Sequence, residues 1–209
     1  MSGPTLRTTS PKVVVEHVST FGPAVTHVRG SLIVGSLENM REIGASARYE
    51  SLLPANMRDA ILYALATSWV PIDVACAHYR TCDQLDLTQE QLTRIGELTA
   101  NRIIDTFMGR AMRASRNAGA ETYWALMKQT PRIYDRMYQG GGVTVLQTGP
   151  KDMLIENTGQ PLAEFRYWRS TYVTYTEAMG KAFTKVAYVK LARPRVYHTH
   201  TIAVAGSWV

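Results

Sequence analysis

The chain has 209 residues, 45% of them hydrophobic and 19% charged, with a formal net charge of +6 and a pI near 9.4. That length supports a packed core without disulfide or metal staples, and no apolar run reaches the roughly 18 residues that a transmembrane helix needs. The Lys and Arg residues are dispersed, with Arg102, Arg110, Arg113 and Arg116 the densest group; with no Lys/Arg block and no nucleic-acid module, a solvated basic face is expected rather than a nucleic-acid surface.

From the start, Met1 to about Pro11 is rich in Ser, Thr, Pro and Gly and reads as irregular. It has no apolar core of a signal peptide, so a cytoplasmic location is expected. Residues 1–25 are taken as an arm and 26–209 as one sensor-like α/β unit, although Val13-Val14-Val15 permits a strand over Lys12–Val18. The β-branched run Thr26–Val34 predicts a strand. Ser36 then stands as a helix cap, with Gly44 as the stop. Ala47–Leu53 is a short helical turn, and Pro54 opens another helical segment carrying Met57, Ile61, Leu62 and Leu65.

Trp69-Val70-Pro71 interrupts, and Pro71 fits the start of a helix to about Gln84 with Ile72, Ala75, Cys76 and Tyr79 inward. Thr88 and Gln91 form a capping box for the longest helix, about Gln89 to Ser115. Gly96 and Gly109 interrupt its apolar stripe, which points to another element crossing closely. Glu121–Tyr138 is helical and Pro131 should split it. Gly140-Gly141-Gly142 switches the chain from helix to sheet. Alternation then predicts strands over Val143–Gln147 and Asp152–Glu156, a helix over Leu162–Phe183, and strands over Lys185–Leu191 and Tyr197–Val204. The class is α+β: a helical N-terminal half packed on a small antiparallel sheet, built mainly by the C-terminal strand-strand-helix-strand-strand module.

The chemistry-bearing residues do not converge. Cys76 and Cys82 lie on different faces of one predicted helix, without zinc spacing. His198 and His200 share a strand face that can hold a metal only if a third ligand approaches. Glu121, Asp135, Glu156 and Glu177 are scattered, Ser170 has no glycine elbow, and Gly140–Gly142 lacks the Lys-Ser/Thr tail of a phosphate loop. No cofactor and no enzymatic activity are expected.

The order of elements resembles a known superfamily, carried here by Gly30–Gly35, Trp69-Val70-Pro71, the Gly96–Gly109 helix, Tyr134 with Gly140–Gly142, Tyr172 to Gly180, and the closing strands. It joins heme nitric-oxide/oxygen-binding domains, the four-vinyl-reductase (hydrocarbon-binding) domain and the small subunits of the TRAPP tethering complex. Within it, the chain looks most like an uncharacterised paralogous family abundant in myxobacteria. Heme-binding members would imply a helix histidine, for which His78 is the one on a predicted helix, and a Tyr-x-Ser-x-Arg clamp, which is absent. The hydrocarbon-binding branch implies cysteines near the closing strands, and none follows Cys82. TRAPP-type subunits imply a lipid-bearing cysteine near the first long helix, which neither Cys76 nor Cys82 matches. The resemblance implies a ligand-sensing or protein-interaction domain, as a homodimer, or else a scaffold subunit without a ligand. An apolar ligand would lie between helices and sheet, against Phe107, Trp124, Met127, Tyr134, Met137, Tyr167 and Tyr172.

Overall fold

The computed structural model describes residues 11–105, 123–195 and 200–209. The fold is α+β, as expected. The chain runs β1 (Lys12–Val18), β2 (His27–Arg29), α1 (Gly30–Glu42), α2 (Ser46–Leu52), α3 (Arg58–Leu62), β3 (Trp69–Pro71), α4 (Ile72–Asp83) and α5 (Gln89–Asp105). After residue 122 come α6 (Tyr123–Lys128), α7 (Thr130–Met137), β4 (Tyr138–Gln139), β5 (Gly142–Gly149) and β6 (Asp152–Thr158). A 3-10 turn at Pro161–Glu164, α8 (Arg166–Phe183), β7 (Ala187–Ala192) and β8 (Ile202–Trp208) complete it. The expected continuation of the long helix to Ser115, with Phe107 and Gly109, lies outside the described residues.

The main sheet is antiparallel throughout, in the order β1-β5-β6-β8-β7. The stretch taken as an arm therefore supplies the outermost strand, because the alternating Lys12–Val18 segment pairs with β5 from Lys12↔Gln147 to Val18↔Gly142. The last strand is shifted from its expected place: Ile202–Trp208 pairs with both β6 and β7, whereas Tyr197 to Thr199 lie outside the described residues. Alternation alone placed that strand, and it continues past Val204 through Gly206 to Trp208. A second sheet, β3-β2-β4, joins the N-terminal helices to the glycine switch.

The strand expected over Thr26–Val34 ends at Arg29, and α1 begins at Gly30 rather than at a Ser36 cap. The reason is tertiary. Gly30 N–H donates to Ser68 O at 2.8 Å and Ser31 N–H to Ala66 O at 3.0 Å, so the 66–68 loop satisfies the free amides that a local cap would take. A Cβ on Gly30 would overlap the Leu65 carbonyl oxygen, so glycine is what lets this loop approach. Ser36 instead lies buried inside α1, hydrogen-bonded to the Tyr167 hydroxyl at 2.9 Å.

The Thr88–Gln91 box forms in both directions: Gln91 N–H to Thr88 Oγ1 at 3.2 Å and Thr88 N–H to Gln91 Oε1 at 2.9 Å. Pro131 sits in the first turn of α7, separating it from α6. Gly96 is where α8 crosses α5, since a Cβ there would overlap Thr174 Oγ1. Gly140 and Gly141 have φ of +94° and +71°, and Gly140 lies against the Ala24 carbonyl.

The interior divides into two clusters. The first gathers Ile33, Met40, Tyr49, Val70, Ala75 and Tyr79 from the N-terminal half, with Leu92 and Ile95 of α5 and Tyr167 and Trp168 of α8. The second gathers Val145, Met153, Ile155 and Val204 of the sheet with Ala100 of α5, Tyr123 and Met127 of α6, Tyr134 of α7 and Met179 of α8. Thus α5 and α8 form a spine common to both.

Candidate ligand-binding site

Helix α4 presents two chemically different faces. Ala75, His78, Tyr79 and Cys82 recur at i, i+3, i+4 and i+7 and point inward; all four are buried. Cys76, expected inward, is half-buried: it packs against the first core on one side and on the other joins a second stripe with Asp73, Ala77 and Arg80. That second stripe floors an open groove of about 380 Å³, walled by Pro54, Asn56 and Met57 of the segment between α2 and α3.

The groove has opposite charges at its two ends. Asp73 lies in the first turn of α4, where its Oδ1 accepts from Val74 N–H at 2.9 Å. Arg80 lies in the last turn, its guanidinium carbon 5.6 Å from the centroid of the Phe165 ring. Both signs suit the α4 dipole. Between them, the Cys76 thiol is raised above its ordinary range, first by burial, then by Glu164 and Asp73, against an opposing pull from Arg80. The groove floor between the two ends is therefore a neutral thiol and a methyl group at neutral pH.

The inward face carries a buried polar chain. Tyr49 Oη and His78 Nδ1 are 2.5 Å apart, and His78 Nε2 lies 3.7 Å from Cys82 Sγ. Burial holds His78 down to about 3, so it is neutral at physiological pH. Burial also pushes the Cys82 thiol and the Tyr49 phenol up. A cysteine beside a histidine is thus held as a neutral pair, the opposite of an activated thiolate–imidazolium. A small cavity of about 10 Å³ adjoins Cys82 and Tyr167, room for about one water. Beside it the Asp83 carboxylate accepts from the backbone N–H of Arg166 at 3.0 Å and of Tyr167 at 2.6 Å, capping α8 from a different helix.

A heme would need an imidazole nitrogen with access to iron. His78 does not fit, because the Tyr49 hydroxyl and the Cys82 thiol engage its two nitrogens and it is fully buried. His17 Nε2 is paired with Asp135 Oδ1 at 2.7 Å, and His200 Nε2 with Glu164 Oε1 at 2.8 Å. His198 lies outside the described residues, so the expected His198/His200 pair is not described as a unit. Among the described residues no group of three or more His, Cys, Asp or Glu side chains could hold a metal ion.

The residues expected to face an apolar ligand divide between the two cores. Trp124, Met127 and Tyr134 pack in the second cluster, Tyr167 in the first, and Tyr172 against both. Met137 is half-buried, and Phe107 lies outside the described residues. The space between them is crossed by rings: Trp168 stacks on Tyr172 at 5.2 Å, and Tyr134 meets Tyr138 at 5.0 Å. Asn157 Nδ2 donates to Tyr172 Oη at 2.9 Å. The α4 groove was not anticipated. Its sequence signal was Asp73-Cys76-Ala77-Arg80 itself, a helical stripe with charge at both ends and none between.

No family model and no curated protein matches the chain. A solved structure does. Reported as "Modulating Heme Redox Potential Through Protein-Induced Porphyrin Distortion", it superposes with a TM-score of 0.56 over 86% of this chain and 99% of its own, at 11% identity. At that identity the likeness is one of fold. No described helix is long and apolar enough to cross a membrane.

Proposed function

We propose that this chain is a non-enzymatic small-molecule-binding domain that senses its ligand at the α4 groove. The observation that carries the reading is the groove itself. Its volume of about 380 Å³ falls in the range of small-molecule sites, roughly 300–1,000 Å³, and its lining mixes apolar surface with a few polar groups. The fold supports the reading by analogy, since the structural neighbour is described by its heme. Occupancy would act on the α2–α3 segment through Met57 and Asn56, and on the core through the far face of α4.

Native mass spectrometry of the purified full chain tests this. A retained small-molecule mass that disappears when Ala77→Trp fills the groove is the expected result. A bare protein mass from every preparation, with no ligand taken up from a metabolite extract, overturns it.

A second reading, a homodimeric or partner-binding scaffold, is favoured by β7. Tyr188 and Leu191 of that edge strand are 65% and 51% exposed. Strand addition there meets an obstacle, because the Val189 amide is already given to Glu177 Oε2 at 3.1 Å. Light scattering of wild type and Tyr188→Lys/Leu191→Lys separates the readings: a dimer made monomeric by the double change supports the scaffold.

A further inference from the structure

Building on the ligand-binding reading, we propose that the α4 groove selects a zwitterion of short-peptide length, with its ammonium end at Asp73 and its carboxylate end at Arg80. The two are seven positions apart, an axial rise of about 10.5 Å between their places on the helix. An extended peptide advances roughly 3.3–3.6 Å per residue, so a tripeptide with free ends spans about 10 Å. Length and charge order therefore match the same class of molecule.

Both charges are available. Asp73 and Arg80 are exposed, and neither belongs to an ion pair among the described residues. This contrasts with Arg102, Arg166 and Arg195, each held by a carboxylate of this chain. The Arg80 guanidinium lies over the Phe165 ring, and a guanidinium with no carboxylate of its own can take one from a ligand through two hydrogen bonds. The middle of the groove makes no demand for charge. Cys76 is held as a thiol, Ala77 and Met57 are apolar, and Asn56 supplies both a donor and an acceptor for one backbone amide.

Cys76 is also the reporter. It lines the groove and is half-buried, whereas Cys82 is buried and serves as an internal unreactive control. The experiment follows alkylation of Cys76 by iodoacetamide in the full chain, read by peptide mass spectrometry. The probe is tri-alanine with free ends, compared with its N-acetylated, C-amidated and doubly blocked forms. Expected is slowing of alkylation by roughly fivefold with the zwitterion. The concentration needed should rise about five- to tenfold on acetylation for wild type but not for Asp73→Asn, and on amidation for wild type but not for Arg80→Gln. Melting curves run alongside, because the same charges complement the α4 dipole; a lowered Tm with unchanged protection counts against the proposal. Equal protection by zwitterion and doubly blocked peptide overturns the charge selection and leaves the ligand-binding reading standing. No protection by any form overturns the proposal, and a bare native mass in addition overturns that reading too.

Discussion

The two cores solve burial differently. The N-terminal core is threaded by polar groups: Tyr49, His78 and Cys82 in one chain, Ser36 with Tyr167 in another, all buried. The sheet core is closed by hydrocarbon and ring edges, with Trp208 set edge-on against Tyr123 at 4.7 Å and Trp124 at 5.0 Å. A hydrocarbon core depends on volume alone. A polar-threaded core depends also on protonation and on each partner being present. The same chain therefore carries one region whose interior turns on a buried histidine and one closed chiefly by rings and hydrocarbon, coupled through α5 and α8.

The largest single effect is expected in the sheet core. Trp208→Ala should cost about 3–5 kcal/mol, as aromatic truncations in packed interiors do. Chemical denaturation at pH 7 and pH 5 should give the same loss; a loss that changes with pH breaks the contrast. Next comes the protonation of the helical core. His78 is held down to about 3 when folded, against its ordinary value of 6.5. The unfolded chain then binds the extra proton as pH falls through 6.5, and the folded chain does not until about 3. Stability is full above 6.5 and is lost on acidification through that window, by roughly 1.4 kcal/mol per pH unit from this one group. The difference in unfolding free energy between wild type and His78→Gln should therefore shrink or reverse by roughly 3 kcal/mol from pH 7 to pH 4. A parallel pair of curves refutes it.

The spine gives a smaller effect that reaches both regions. Gly96→Ala puts a methyl group into Thr174, an overpacking expected to cost about 1–3 kcal/mol. Tyrosine fluorescence and near-ultraviolet dichroism should report loosening of both cores together. If Thr174→Ala, which removes the overlapped Oγ1, restores nothing in the Gly96→Ala background, the crossing is not the cause. The smallest effect is at the start of α5, where Thr88→Ala removes the cap bond to Gln91 N–H for about 1 kcal/mol, without altering the acid dependence.

Local chemistry was legible in the sequence where the partners are close in the chain. The Thr88–Gln91 box, the Pro131 break, the Gly140–Gly142 switch and the Gly96 crossing all follow from short-range rules. Elements set by distant atoms were not. The α1 start depends on carbonyls of residues 66–68, and the α8 start on the Asp83 carboxylate, so neither carries a local cap to read. The groove was hidden for a related reason. Cys76 does pack against the core as expected, but reading it only as a core residue left out its second side, which it shares with Asp73, Ala77 and Arg80. His78 was visible as a helical histidine, but its engagement by Tyr49 and Cys82 requires α2 and α4 to be brought together.

The pairing of β1 with β5 also governs the order in which the molecule can be made. Lys12 meets Gln147, so β1 leaves a ribosome long before its sheet neighbour is synthesised. The helical half can collapse early on local contacts, whereas closing the sheet edge waits for the C-terminal half and is slowed by the loop it must close. During that interval β5 has one bare edge, and Val145 and Leu146, both fully buried at the end, are exposed to competing strands. Removing residues 12–18 should make that interval permanent and leave the chain prone to associate through β5.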